Sequence, residues 1–186
     1  MAAQLHSGQV RKGTAIPSIA HVVAVAAIVL EHGGDEDQAI AGLLHDVIED
    51  CGTEHERTIE DRFGARVAAI VRGCTDADTQ PKPPWRARRE RYLAHLQLAH
   101  RDILLVSAAD KLHNARAIVS DLQTHGPVVF DRFKAGRDGT VWYYSELAAI
   151  FAHRVPGPLS RDLDHAVGEM RRLSLVGSSA AGGGHS

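Results

Sequence analysis

Apolar segments of helical length, separated by proline and glycine, constrain the fold of this chain more than any other feature. The clearest segment is the run of nine apolar residues 22–30, which lies between Pro17 and the pair Gly33 and Gly34. Proline before a segment and glycine after it are typical of a helix. β-branched side chains would also suit a strand, but the length of the segment favours a helix. Because it is apolar on nearly all sides, we predict that this helix is buried.

The rest of the chain continues the same pattern. Further helices are predicted over residues 35–50, 58–63, 65–74, 85–100, 102–123, 140–153 and 159–173. Pro81, Pro83 and Pro84 make residues 76–84 a loop. No segment alternates apolar and polar residues for long, and no internal repeat is visible. We therefore predict one all-α domain over residues 1–175, followed by a Gly/Ser-rich, disordered tail over residues 176–186.

Length and composition are those of one ordinary globular domain. The chain has 186 residues, of which 44% are hydrophobic and 24% charged, and this excludes a fibrous or disordered chain. No apolar run approaches the roughly 20 residues that span a bilayer, so we expect no membrane partner. A net charge of -2 argues against a nucleic-acid partner. The two cysteines, Cys51 and Cys74, cannot build a disulfide framework, so a reducing, cytoplasmic location is expected.

The 12 histidines stand out in the composition, because histidine is the commonest metal ligand. A dipeptide such as His45-Asp46 is expected about once by chance in a chain like this, so the pair alone is no evidence. Its setting is more informative, because Glu49 and Asp50 follow within one helical turn on the same side of the predicted helix. Three carboxylates this close repel one another unless a cation lies among them. The alternative, a solvated helix end, places negative charge against the helix dipole.

Two further residues are candidates for the same site. Asp110 lies in an apolar stretch, where a lone carboxylate is costly, and Asn114 shares its helix face. His21 opens the most apolar of the predicted helices. The alternatives are a helix cap or a hydrogen-bonded buried carboxylate for Asp110, and a packed core histidine for His21.

His21, His45, Asp46 and Asp110 together offer nitrogen and oxygen ligands without a thiolate. Such a set suits Mn²⁺, Mg²⁺, Fe²⁺ or a catalytic Zn²⁺ with open positions, and it does not suit a closed structural zinc site. A cation of this kind lowers the pKa of bound water and stabilises charge on a phosphoryl oxygen. Glu49, beside the set, is the candidate acceptor of the water proton.

Five separated motifs resemble those of a known family. The spacing of His21, His45-Asp46 and Asp110 is similar to that of the HD-domain metal-dependent phosphohydrolases. A closer resemblance, in order and approximate spacing, is to the alarmone hydrolase domain of the RelA/SpoT family. The motifs are HSGQVRKG (6–13), IAH (19–21), HDVIED (45–50), RFG (62–64) with VAAIVRGCT (67–75), and ADKLHNAR (109–116). No synthetase or regulatory domain fits within 186 residues, so the chain is similar to the small, single-domain alarmone hydrolases.

The resemblance implies a helical bundle of the HD-domain type, and it implies roles for the residues that match the motifs. The implied metal ligands, usually for Mn²⁺, are His21, His45, Asp46 and Asp110. Glu49 and Asp50 correspond to the acidic pair that activates and positions the attacking water. The implied contacts to a small nucleotide substrate are Arg11, Lys12 and Asn114. The implied reaction is attack of water on the 3′-phosphorus of the alarmone, which releases pyrophosphate and leaves GDP or GTP.

Three positions depart from the family pattern. Val22 stands where proline usually follows the first ligand histidine, Ser18 where an aromatic residue is common, and Ala117 where threonine is frequent near the nucleotide. Three hypotheses therefore stay open: an alarmone pyrophosphohydrolase, an HD phosphohydrolase of another nucleotide or phosphate ester, and a non-catalytic nucleotide-binding module. The complete ligand set and the pair Glu49 and Asp50 favour an enzyme, because a sensor has no need of a water-activating pair.

Residues outside these motifs have simpler interpretations. The basic cluster of the chain comprises Lys82, Arg86, Arg88, Arg89 and Arg91. It fits a solvated helix face, a rim that steers phosphates to the metal, or a nucleic-acid patch. The other ten histidines, including His113, have no partner at ligand spacing, and we predict surface or core positions for them. The aromatic run at residues 142–144 is predicted to fill core, with a tyrosine able to face the pocket.

Overall fold

The computed structural model describes residues 1–76, 81 and 83–176, and this part of the chain is helical without a β-strand. The helices are α1 (Ala2–Leu5), α2 (Ser18–Glu31), α3 (Glu36–Leu44), α4 (Val47–Cys51), α5 (His55–Phe63), α6 (Ala65–Cys74), α7 (Trp85–Leu96), α8 (Arg101–His125), α9 (Gly136–Arg154) and α10 (Pro158–Leu175). A 3₁₀-helix, Gly126–Arg132, links α8 to α9. The predicted all-α fold is confirmed, whereas residues 177–186 of the predicted tail lie outside the described residues.

The long helix α8 is the centre of the bundle. It packs against α2, α3, α6, α9 and α10, and Leu104 and Leu112 are among its fully buried side chains. α2 packs between α3 and α8 and buries Val22, Val25 and Val29, but Val23 and Leu30 are more than half exposed, so the helix is buried on one side only and not on nearly all sides as predicted. This packing brings the start of α2, the end of α3 and the middle of α8 together. Among the described residues, no helix combines the length and hydropathy that crossing a bilayer requires.

The helix predicted over residues 35–50 is interrupted, so the prediction is wrong at His45 and Asp46. α3 ends one residue before His45, α4 begins one residue after Asp46, and the two residues form a turn. The cause is local, because Nδ1 of His45 lies 2.7 Å from the carbonyl oxygen of Gly42. The His45 side chain thus satisfies the carbonyl of Gly42, which in a continuous helix would accept a backbone hydrogen bond. The turn replaces the straight helical stacking expected from the spacing.

Other helix ends differ from prediction by a few residues. α7 ends at Leu96 rather than at residue 100, because Arg154 of α9 donates hydrogen bonds to the carbonyls of Leu96, Gln97 and Ala99. α5 and α9 begin a few residues earlier than expected, and the sequence pattern did not indicate the short α1. These differences leave the order of the predicted helices unchanged.

Gly42 lies where the backbone of α3 comes close to the backbone of α2. A Cβ atom at this position would lie 3.2 Å from Cα of Ala26 and 3.3 Å from its backbone nitrogen, which is tighter than ordinary van der Waals contact. The glycine therefore allows two backbones to pack directly against each other, three residues before His45.

Gly42→Ala is expected to destabilise the protein by about 1–2 kcal/mol, because the clash with α2 outweighs the gain in helix propensity. The matched control is Gly168→Ala in α10, where an added Cβ would meet nothing within 4 Å. The control is expected to stabilise the protein by about 0.5–1 kcal/mol. Urea unfolding of both variants measures the two changes, and stabilisation by Gly42→Ala would contradict the close approach of α2 and α3.

Candidate active site

Two imidazoles and two carboxylates converge where α2, the turn between α3 and α4, and α8 meet. His21 Nε2 lies 3.2 Å from Asp110 Oδ1 and 3.6 Å from Asp46 Oδ2. His45 Nε2 lies 3.2 Å from Asp46 Oδ1 and 3.6 Å from Asp110 Oδ1. His21, His45 and Asp110 are buried, whereas the Asp46 side chain is 33% exposed. The fold thus brings together all four residues predicted as metal ligands.

The chemistry of this donor set fits a divalent cation. One ligand atom from each of His21, His45 and Asp46 can be chosen so that the three lie within 4.8 Å of one another. The Gly42 carbonyl places the proton of a neutral His45 ring on Nδ1, which leaves the lone pair on Nε2. This Nε2 atom is buried and makes no hydrogen bond within the described chain. A buried nitrogen that faces carboxylate oxygens is a suitable ligand for a divalent cation.

The buried carboxylates control the protonation of the cluster. Burial lowers the pKa of His45, but the charges of Asp46 and Asp110 outweigh burial and raise this pKa to about 9. Burial raises the pKa of Asp110, but Lys111 and the two imidazoles hold it well below its usual range. Asp110 is therefore ionised at neutral pH, and a metal cation that binds His45 must displace a proton.

Asp110 is held in place by neighbours on α8. The Lys111 ammonium lies 2.6 Å from Asp110 Oδ2, and the Asn114 amide donates a hydrogen bond to Asp110 Oδ1. The Arg11 guanidinium in turn donates to Asn114 Oδ1 at 2.6 Å. Two of the predicted substrate residues, Arg11 and Asn114, thus form a chain of hydrogen bonds that ends on a candidate ligand.

Three adjoining cavities open beside the cluster, and Lys12 lines all of them. The metal-side cavity, of about 280 Å³, is lined by His6, Val10, Arg11, Lys12, Ser18, His21, Asp46 and Asp50. The cationic cavity, of about 330 Å³, lies between α7, α8 and α9. The outer cavity, of about 350 Å³, has Arg11, Ile16, Asn114 and Ala117 in its lining. Lys12 therefore stands at the junction between the ligand cluster and the two larger cavities.

The two acidic residues of α4 face different neighbours. Asp50 lines the metal-side cavity together with His21 and Asp46. Glu49 Oε1 lies 3.4 Å from Nη1 of Arg88, and this ion pair links α4 to α7. α4 thus places one member of the predicted acidic pair in the cavity and ties the other to an arginine.

The lining of the cationic cavity contains no carboxylate of the described residues, but it contains five positively charged side chains. These five are Lys12, Arg88, Arg89, Lys111 and Lys134. Arg88 and Arg89 are only 12% and 22% exposed, and both pair with the same oxygen of the buried Asp76. Their Nε atoms are buried and make no hydrogen bond in the part of the chain that is described. The carboxylates that pair with these arginines, Asp76 and Glu49, are not part of the cavity lining, so the lining itself is cationic and suits phosphate oxygens.

The predicted basic cluster divides in the structure. Arg88 and Arg89 turn inward, so the interpretation as a solvated face is wrong for these two residues. Arg86 stacks 3.3 Å from the ring centroid of a tryptophan on α9, and Arg91 is exposed. Lys82 lies outside the described residues.

Sequence reasoning missed some residues of the site. His113 Nδ1 lies 2.9 Å from His21 Nδ1, a contact that the predicted surface or core position of His113 did not anticipate. Its position three residues after Asp110 on one helix is the signal that could have found it. Burial and the neighbouring His21 lower the pKa of His113 to about 4, so this ring is neutral at neutral pH. His6, which is 3% exposed, lines the metal-side cavity, and Tyr143 is a buried tyrosine that lines the cationic cavity.

Comparison with known proteins identifies the family of this chain. The sequence matches the family described as HD domain over residues 1–141, and the chain belongs to this family. A guanosine-3′,5′-bis(diphosphate) 3′-pyrophosphohydrolase of Haemophilus influenzae is 37% identical over 126 residues, which cover 64% of this chain and 18% of that protein. The enzyme of the same name from Danio rerio, MESH1, is 41% identical over 121 residues, which cover 62% of this chain and 63% of that protein. The chain thus spans less than two thirds of either relative.

Two solved structures share the fold. One, described as a metazoan ortholog of SpoT that hydrolyzes ppGpp, is 28% identical, with a TM-score of 0.74 over 94% of this chain and 92% of that chain. The other, lmo0812 from Listeria monocytogenes EGD-e, is 27% identical, with a TM-score of 0.70 over 83% of this chain and 98% of that chain. The predicted helical bundle and the predicted resemblance to (p)ppGpp hydrolases are both confirmed.

Proposed function

We propose that this chain is a divalent-cation-dependent phosphohydrolase that converts guanosine 3′,5′-bis(diphosphate) to GDP and pyrophosphate. One observation carries the proposal: the cluster of two imidazoles and two carboxylates lies beside a cavity lined by five cations, with Lys12 at the junction. Hydrolysis of a substrate with several phosphates needs both a cation at the reacting phosphorus and positive side chains for the remaining oxygens. The relatives named for this reaction support the choice of substrate.

The residues proposed to hold the cation are His21, His45, Asp46 and Asp110. Mn²⁺ is the proposed ion, because it accepts imidazole and carboxylate ligands together. When bound, a divalent cation lowers the pKa of water and stabilises negative charge on a phosphoryl oxygen.

The chain's own residues position the reactants and move the protons. Asp50, in the metal-side cavity, orients the attacking water, and Glu49, held by Arg88, accepts its proton. The water oxygen bonds to the 3′-phosphorus, the bond from this phosphorus to the ribose 3′-oxygen breaks, and the ribose oxygen takes up a proton from solvent, to which Glu49 returns the proton of the attacking water. Arg11 and Lys12 bind phosphate oxygens as pyrophosphate separates from GDP.

The setting of the activity is also part of the proposal. We propose a cytoplasmic location, which the free thiols of Cys51 and Cys74 support, since unpaired cysteines are usual in reducing compartments. The proposed partner is a small nucleotide rather than a nucleic acid, in keeping with the net charge of -2.

A nucleotide panel tests the reaction. The Mn²⁺-loaded protein is incubated with guanosine 3′,5′-bis(diphosphate), GDP, GTP and ATP, and pyrophosphate release is measured. We expect release from the first compound alone, and loss of release in His45→Ala. The matched control is His153→Ala, which removes an exposed histidine on α9. Release only from other nucleotides would contradict the proposed substrate, and full activity of His45→Ala would contradict the proposed site.

Arg89→Gln is expected to raise KM for guanosine 3′,5′-bis(diphosphate) about tenfold or more, with a smaller change in kcat. The reason is that a hydrogen bond between a charged side chain and phosphate contributes about 1.5–3 kcal/mol. Arg91→Gln, an exposed arginine on the same helix, is the matched control and is expected to behave as the wild type. Steady-state kinetics measures KM for both variants. An unchanged KM in Arg89→Gln would exclude the cationic cavity as a phosphate site.

A further inference from the structure

The contact between His21 and His113 holds one proton between two ring nitrogens. Their Nδ1 atoms lie 2.9 Å apart, and their ring centroids lie 4.8 Å apart. A neutral imidazole has one N–H and one lone pair, so this hydrogen bond forms only when one ring donates and the other accepts. The tautomer of either ring therefore determines the tautomer of the other.

His21 can serve as a ligand only with a lone pair on Nε2. This is the atom of the ring that lies in the cluster, 3.2 Å from Asp110 and 3.6 Å from Asp46. A lone pair on Nε2 places the single ring proton on Nδ1. Since the His21 side chain is only 5% exposed, that N–H needs an acceptor within the protein, and His113 Nδ1 lies at hydrogen-bond distance.

We infer that His113 is a positioning residue that accepts the Nδ1–H of His21 and so presents Nε2 of His21 to the cation. His45 receives the equivalent support from the carbonyl of Gly42. One turn of α8 thus has three roles at the cation site. Asp110 is a proposed ligand, Lys111 and Asn114 hold Asp110 in place, and His113 supports the second ligand, His21 of α2. The inference rests on the proposed cation site, but it does not depend on the substrate.

The test is Mn²⁺ affinity, measured by electron paramagnetic resonance of the free ion. His113→Phe keeps a ring but removes the acceptor, and it is expected to weaken Mn²⁺ binding about 10–100-fold, as losses of such partners do. His113→Asn places an amide oxygen near the position of Nδ1, and it is expected to restore most of the affinity. His125→Asn, at an exposed histidine of the same helix, is the matched control and is expected to match the wild type. Wild-type affinity in His113→Phe would overturn the inference.

A measurement on the unaltered protein covers the case in which His113→Phe does not fold. With Zn²⁺ as a diamagnetic ion, ¹⁵N resonances of the rings are expected to show the proton of His21 on Nδ1 and that of His113 on Nε2. A proton on Nδ1 of His113 in the Zn²⁺-loaded protein would overturn the inference. Neither measurement involves turnover, so a failure of the proposed hydrolase activity would remain distinguishable from a failure of this inference.

Discussion

An Asp46→Ala variant is expected to release pyrophosphate about a thousandfold more slowly than the wild type. Asp46 lies against both imidazoles, with Oδ2 3.6 Å from His21 Nε2 and Oδ1 3.2 Å from His45 Nε2. It is also the most exposed of the four proposed ligands, so its removal takes away a ligand without opening the core. A cation that stabilises a phosphoryl oxygen contributes several kcal/mol to the transition state, and about 1.4 kcal/mol changes a rate tenfold.

The measurements for Asp46→Ala are single-turnover pyrophosphate release and Mn²⁺ affinity. The matched control is Asp164→Ala, which removes an exposed carboxylate from α10 and is expected to change neither quantity. Both variants are expected to have wild-type helical content. Wild-type turnover in Asp46→Ala would show that the cluster does not hold the catalytic cation.

Mn²⁺ affinity is expected to increase about a hundredfold between about pH 6 and about pH 8, because binding displaces the proton of His45. The charges of Asp46 and Asp110 overcome burial and raise the pKa of this ring from 6.5 to about 9. Below a pKa of about 9, each unit of pH changes the fraction of neutral His45 roughly tenfold. Isothermal titration at several pH values measures both the affinity and the proton released.

The metal-free protein is expected to show the opposite trend in stability. The imidazolium of His45 stabilises the folded state fully below pH 6.5, and this contribution is lost as the pH rises through about 9. The melting temperature of the metal-free protein should therefore fall over this range, while that of the Mn²⁺-loaded protein should rise. An affinity that does not change with pH would contradict the displacement of a proton from His45.

Much of the candidate site could be predicted because its signals are local. His45, Asp46, Glu49 and Asp50 lie within six residues, and the accumulation of charge at the end of an apolar helix points to a cation. Asp110 is conspicuous as a carboxylate in an apolar stretch for the same reason. Helical periodicity relates residues only within one helix, so it cannot relate motifs that lie on different helices. The resemblance to a known family related them instead.

Contacts between distant segments could not be predicted in this way. Arg88 and Arg89 look like part of a basic helix face, and only the position of Asp76 shows that they turn inward. The partner of His113 is 92 residues away in the chain. Spacing along a helix indicates which face a residue shares, but it does not indicate which other helix packs against that face.

The sequence by itself determined the all-α fold, because this depends on periodicity within each helix. Its motifs singled out the four proposed ligands, and the resemblance of these motifs to a known family joined them into one site. Only the tertiary structure decided how these parts act together. The packing of α2 against α8 brings His113 to His21. The packing of α7 against α9 directs Arg88 and Arg89 toward the cationic cavity beside the ligands. The physical reason is that tautomers, pKa values and cavity charge depend on distances between groups, and these distances exist only once the helices have packed.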